Sequence, residues 1–209
     1  MAQGEAGSAV AVGAAAVGVE EAAAVADSAA EAAASVVAVR RGAGDMDLTR
    51  SLRHLCTTLW SVRRAFPQSS LDAIERAIAQ TEAKHNGQVR FAVEHALDFP
   101  HLVAGLSARE RALDVFSQLR VWDTHHNNGV LIYLLLADRD VEIIADRGIH
   151  ATVGEGWELI CRKMEERFRK GEFEAGVIEG IRAVGEHLER HFPSRRGGAN
   201  ELPDKPVIL

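Results

Sequence analysis

Residues 130–137 form an unbroken apolar run, Val-Leu-Ile-Tyr-Leu-Leu-Leu-Ala. Such a run suits a central strand covered on both faces, because every side chain along it must find apolar surroundings. Asp138-Arg139-Asp140 interrupts it, and residues 141–145 resume it as Val-Glu-Ile-Ile-Ala. A break this short permits only a hairpin, so the two strands are antiparallel. Residues 88–94 alternate, with Val89, Phe91 and Val93 on one side and Arg90, Ala92 and Glu94 on the other. That is a third strand with one more polar face.

The other segments read as helices. Apolar residues at 48, 52, 55, 59, 62 and 66 keep helical spacing until Pro67 stops them. Ser69 with Asp72 reads as a capping box opening a helix whose buried stripe is Leu71, Ile74 and Ile78. Ser107 with Glu110 opens another, followed by Ala112, Val115, Phe116 and Leu119. Trp157, Ile160, Cys161, Met164 and Phe168 define one closing helix. Val177, Ile181, Val184, Leu188 and Phe192 define the other, which Pro193 ends.

The strand at 88–94 reaches the strand at 130 through a helix, so the two are expected as parallel neighbours with a right-handed crossover. The expected fold is α/β with a small mixed sheet, a parallel crossover plus an antiparallel hairpin. Its single domain spans residues 46–193, within a chain of 209. Residues 1–45 are dominated by Ala, Val and Gly, and bury too little side-chain area to offset ordering. They read as a disordered extension, or as sequence upstream of a true start at Met46. Residues 194–209, rich in Arg, Gly and Pro, read as a disordered tail.

Charge narrows the partners. A net charge of -6 argues against nucleic acid, which needs a cationic surface. No stretch approaches the roughly 18 consecutive apolar residues of a membrane span, and no basic region precedes the apolar start. Direct membrane insertion is therefore not expected. Cys56 and Cys161 lie in helical patterns and read as reduced core thiols, which points to a cytoplasmic chain.

Chain direction predicts a shared rim. If the first two strands start at one edge, the hairpin returns the third to end there. Glu82 and His85, the loop at 123–128, and Asp146-Arg147 should then converge. Asp138 and Asp140 belong to the opposite edge, on the order of 25 Å away at ~3.3 Å per residue.

Three stretches carry a family resemblance: Arg120-Val121-Trp122-Asp123-Thr124, Asn127-Asn128-Gly129-Val130-Leu131-Ile132-Tyr133, and Ala145-Asp146-Arg147-Gly148-Ile149. With Trp157 and the Phe168-x-x-Gly171-x-Phe173 spacing, they resemble the TPM domain family, specifically its soluble bacterial branch related to YgcG-like proteins. The tail at Glu201-Leu202-Pro203-Asp204 is similar to that branch too. The resemblance implies a three-layer α/β/α domain, Rossmann-like but without a nucleotide cofactor. It implies an accessory or binding role, with an acidic cleft for a divalent cation, calcium or magnesium. LemA-type or other TPM-domain proteins are the implied partners. Carried onto matching positions, the cleft residues are Glu82, Asp123, Asn128 and Asp146. An acid phosphatase is described among the relatives, so a metal-assisted phosphatase is the alternative.

Hard cations take several oxygen ligands, and those carboxylates with Asn127 and Asn128 supply the right atoms. The competing reading is structural, with Asp123 and Asn128 capping turns and Asp146 pairing with Arg147 or Arg120. In the phosphatase reading, Arg147 and Arg120 bind phosphate or another anion. His125 and His126 lack a second metal-ligand pair at useful spacing and read as solvated. Thr124 has no recognisable triad, Gly148, Gly154 and Gly156 read as turn and helix entry, and Trp122 reads as a packing anchor.

Overall fold

The computed structural model describes residues 48–149, 156–194 and 200–209. The expectation for residues 1–45, and the glycine at 154, lie outside them. Chain order is α1 (Leu48–Cys56), α2 (Leu59–Ala65), α3 (Gln68–Glu82), β1 (Gln88–Glu94), α4 (Phe99–Val103) and α5 (Ala108–Gln118). It continues with β2 (Gly129–Leu135), β3 (Asp140–Ala145), α6 (Gly156–Arg169), α7 (Phe173–His191) and β4 (Val207–Ile208).

The sheet runs β3-β2-β1-β4. β1 and β2 are parallel with Gln88 opposite Gly129, and β3 returns antiparallel with Ala145 opposite Val130. Alternation along the strands divides the core into two layers. Val89, Phe91, Ile132 and Ile143 face α3, α6 and α7, meeting Ile74, Ile78, Met164 and Val184. Ala92, Leu131, Tyr133 and Ile144 face α5, meeting Ala112 and Val115. The domain is thus a three-layer α/β/α sandwich on a mixed sheet, as the strand pattern and the resemblance led us to expect. Among the described residues, no helix is long and apolar enough to cross a membrane.

Ser107 and Glu110 form the predicted capping box, with Oγ accepting from Glu110 N–H at 3.2 Å and Oε2 from Ser107 N–H at 2.8 Å. The polar face of β1 is closed by a buried network. Arg111 donates to both oxygens of Glu94 at 2.9 and 3.0 Å, and Tyr133 O–H donates to Glu94 at 2.6 Å.

Several expectations are corrected. The helical spacing over 48–66 is two helices, broken at Thr57 and Thr58, and Leu48, Leu52, Leu55 and Leu59 are exposed. Thr58 supplies the second N-cap, where Ser61 Oγ accepts its N–H at 3.3 Å. The third helix opens at Gln68 after Pro67, so Ser69 is not its cap, and Asp72 accepts instead from Gln68 Nε2 at 2.7 Å. Cys56 is an exposed thiol, not a core one.

The tail is also corrected. Residues 200–209 lie along β1 and end in β4, with Val207 opposite Ala92 and Leu209 N–H bonded to Val93 O at 2.9 Å. Buried polar groups on β1 draw it there. Gln88 Oε1 accepts the N–H groups of Glu201 and Leu202 at 2.7 and 3.0 Å. Arg90 donates to the carbonyls of Pro203 and Lys205. Leu202 is buried in the α5 layer.

Candidate functional site

The rim where β1 and β2 begin and β3 ends is shaped by close backbone approach. A Cβ at Gly129 would stand 1.9 Å from Val121 O, and one at Gly148 would stand 2.6 Å from Asn127 O. Glycine at both positions lets the loop of residues 119–128 lie between the start of β2 and the turn after β3. Arg120 and Asn127 take left-handed backbone, φ 52° and 50°, at its two bends. Asparagine tolerates that region; arginine adopts it at some cost. Thr124 ties the loop as a turn, its Oγ1 accepting Asn128 N–H at 3.0 Å, which commits that oxygen to structure.

Asp146 ends β3 at Gly129, where its N–H bonds the Gly129 carbonyl at 2.9 Å. Its Oδ1 accepts Arg147 N–H at 2.6 Å as the chain turns helical at 147. The other oxygen, Oδ2, is buried with no hydrogen-bond donor among the described residues. Asp146 is 7% exposed, and burial raises its pKa against the opposing pull of the Arg147 N–H and charge. Asn128 is fully buried; its Nδ2 donates to Asn86 O, while Oδ1 is buried without a donor among the described residues. Asp123 is exposed in the same loop, its N–H bonded to Arg120 O at 3.0 Å. Arg120 and Arg147 are exposed there too, and neither forms an ion pair with a described carboxylate.

Glu82 lies elsewhere on the rim. Gln88 N–H points to β2 and Val93 O points to β4, so alternation sends Val89 N–H toward the β4 side. Glu82 Oε1 accepts that N–H at 2.6 Å. Asp146 occupies the β3 side of β2. Three strand spacings, roughly 14 Å, separate the two carboxylates, too far for one cation. The predicted set therefore divides: Asp146 bonds Gly129 at the start of β2, Asn128 just before it bonds toward β1, Asp123 is exposed in the preceding loop, and Glu82 does not join them. Among the described residues no three His, Cys, Asp or Glu side chains form a metal-ligand cluster.

What surrounds Glu82 escaped the sequence reading. Burial and the neighbouring Asp204 carboxylate, with which it hydrogen-bonds, raise its pKa to about 8, opposed by the Val89 N–H and Arg90. Asp204 is held by Asn200 Nδ2 at 2.7 Å. Glu201 accepts His125 N–H at 2.8 Å, so the tail also props the rim loop. The available signal was Gln88 and Arg90, polar residues in an otherwise apolar strand that required partners. His85 is buried and bonded through Nδ1 to Gly87 O at 3.1 Å; burial lowers its pKa, so it is a neutral packing residue. Trp122, expected to anchor packing, is 50% exposed.

The comparisons agree with this architecture. The chain is similar to the BA42 protein of the psychrophilic bacterium Bizionia argentinensis, at 28% identity and a TM-score of 0.62, covering 69% of this chain and 95% of that one. It shares the fold of the N-terminal domain of a P. gingivalis protein, at 18% identity and a TM-score of 0.50, covering 63% and 83%. No curated protein matches. The TPM domain model matches residues 63–187, more than half of the sequence and nearly all of the sandwich just described. The chain belongs to the TPM domain family.

Proposed function

We propose that this chain is a non-enzymatic accessory domain whose β2–β3 rim binds a divalent cation. Asp146 and Asp123 are the carboxylate ligands, and Asn128 with loop carbonyls supplies neutral oxygens. The observation that carries the reading is Asp146 Oδ2, a buried carboxylate oxygen without a donor among the described residues. Such an oxygen needs an electropositive partner, and a hard cation is one. Asn128 Oδ1 has the same deficit one residue before Gly129. A site with two carboxylates is weak, on the scale of about 10⁻⁴–10⁻³ M for the least charged calcium modules. That range suits an accessory domain responding to bulk calcium or magnesium, and a docking partner such as another TPM-domain or LemA-type protein would complete the coordination.

Thermal unfolding with millimolar calcium or magnesium tests the reading. The expected result is a melting temperature higher than in chelator by a few degrees, with the shift gone in Asp123→Asn/Asp146→Asn. Asparagine keeps the turn-capping oxygen of Asp146 while removing its charge. No shift in the parent protein discards the cation. The exposed guanidiniums of Arg120 and Arg147 on the same rim favour a second reading, metal-assisted phosphate-ester hydrolysis. Turnover of p-nitrophenyl phosphate that the double variant loses would establish it over the first.

A further inference from the structure

The α1–α2 segment carries a surface that the fold leaves bare. Leu48, Leu52, Leu55, Leu59 and Trp60 are between 49% and 80% exposed, and Phe99 faces the same groove at 76%. These side chains line a cavity of about 820 Å³. Single exposed leucines are ordinary, whereas a contiguous set around one groove marks a place where something binds.

The exposure is enforced from behind. Asp138 in the β2–β3 turn meets Arg50 Nε at 2.9 Å, Arg53 at 3.5 Å and His54 Nε2 at 3.1 Å. His54 Nδ1 accepts Leu97 N–H at 2.9 Å, which leaves the ring proton on Nε2 toward Asp138. With this face of α1 pinned to the sheet, Leu48, Leu52 and Leu55 cannot rotate inward.

Charge indicates the occupant. Residues 48–66 contain Arg50, Arg53, Arg63 and Arg64 and no Asp or Glu, in a chain whose net charge is -6. Helical spacing sets Arg63 beside Leu59 and Arg64 beside Trp60. The Arg64 guanidinium stands 5.6 Å from the Trp60 ring centre. Among the described residues Asp98 is the one carboxylate lining the groove. Leucines, a tryptophan and arginines in that order reproduce the layers of a bilayer interface, with hydrocarbon below, the aromatic belt at the headgroups and phosphate above. We propose that the α1–α2 segment docks in the plane of an anionic lipid bilayer. Leu52, Leu55 and Trp60 enter the headgroup–acyl boundary, and Arg63 and Arg64 hold phosphates. This proposal is independent of the cation reading, whose residues lie at the opposite rim of the sheet.

Co-sedimentation of the full chain with vesicles tests it. Vesicles of phosphatidylcholine with about one-third phosphatidylglycerol should pellet the protein at low salt, and pure phosphatidylcholine should not. Leu52→Ser/Leu55→Ser and Arg63→Glu/Arg64→Glu should each weaken binding about tenfold or more, with circular dichroism unchanged. Brominated acyl chains should quench tryptophan fluorescence in the parent and not in Trp60→Phe. Absence of binding to anionic vesicles overturns the proposal, as does binding that both double variants retain. A concentration-dependent dimer that Leu52→Ser/Leu55→Ser disperses, in protein that ignores vesicles, overturns it in favour of self-association.

Discussion

At the residue scale, the rim depends on backbone contact more than on side-chain bonding. Gly129 admits the Val121 carbonyl where any side chain would collide with it. Gly129→Ala must displace the whole 119–128 loop, and we expect a loss of about 3 kcal/mol in chemical denaturation, in the range of overpacked or strained sites. The same change should weaken cation binding, since Asp123 and Asn128 move with the loop. A loss below about 0.5 kcal/mol would mean that the loop is not wedged as described. Glu94 makes a contrasting case. Its carboxylate is enclosed by Arg111 and Tyr133, so Glu94→Ala leaves a largely buried guanidinium uncompensated and should cost about 3–5 kcal/mol. Double-mutant cycles with Tyr133→Phe would give the coupling within the network.

At the element scale, the C-terminal segment acts as a strap across β1. Most of its bonds are to its own main chain, through Gln88, Arg90 and the Val93 carbonyl. Its burial of Leu202 adds roughly 1.5–3 kcal/mol. Removing residues 200–209 should lower the melting temperature, and a synthetic peptide of those residues added in trans should restore it. A truncated protein as stable as the parent would show that the strap is ornamental. The two-residue strand explains why this element was illegible. β4 lies at a sheet edge, bonds on one side only, and offers no alternation long enough to read. The hairpin of β2 and β3 was legible for the opposite reason, since its apolar run admits few other placements.

At the scale of the whole molecule, several carboxylates are buried where they hold their protons. Glu82 is raised to about 8, by burial and then by Asp204, against Arg90 and the Val89 N–H. Asp140 is raised to about 7, by burial and then by Glu142, Glu165 and Asp138, against Arg50. A carboxyl whose folded pKa exceeds its unfolded value binds more protons folded, so stability declines as pH rises between the two values. His85 and His187 are lowered by burial, which acts in the other direction below their ordinary value of 6.5. Between about pH 6.5 and 8 the carboxyls act without that opposition, and unfolding free energy should fall across this window. Glu82→Gln with Asp140→Asn should flatten the slope; an unchanged slope would assign it to other groups.

The sequence by itself determined the three long strands, the longer helices and their order, because hydrophobic period and strand length are local quantities. It yielded the antiparallel hairpin, the parallel crossover and the Ser107 cap. Tertiary structure alone decided sidedness. Periodicity groups Leu48, Leu52 and Leu55 on one face of a helix, but Asp138, a distant residue, holds that face toward the outside. Chain direction brings Glu82 to the correct rim, yet the alternation of N–H groups along β1 sends it to the far side from Asp146. A pattern of spacing states which side chains travel together; only the packed neighbours state what they meet.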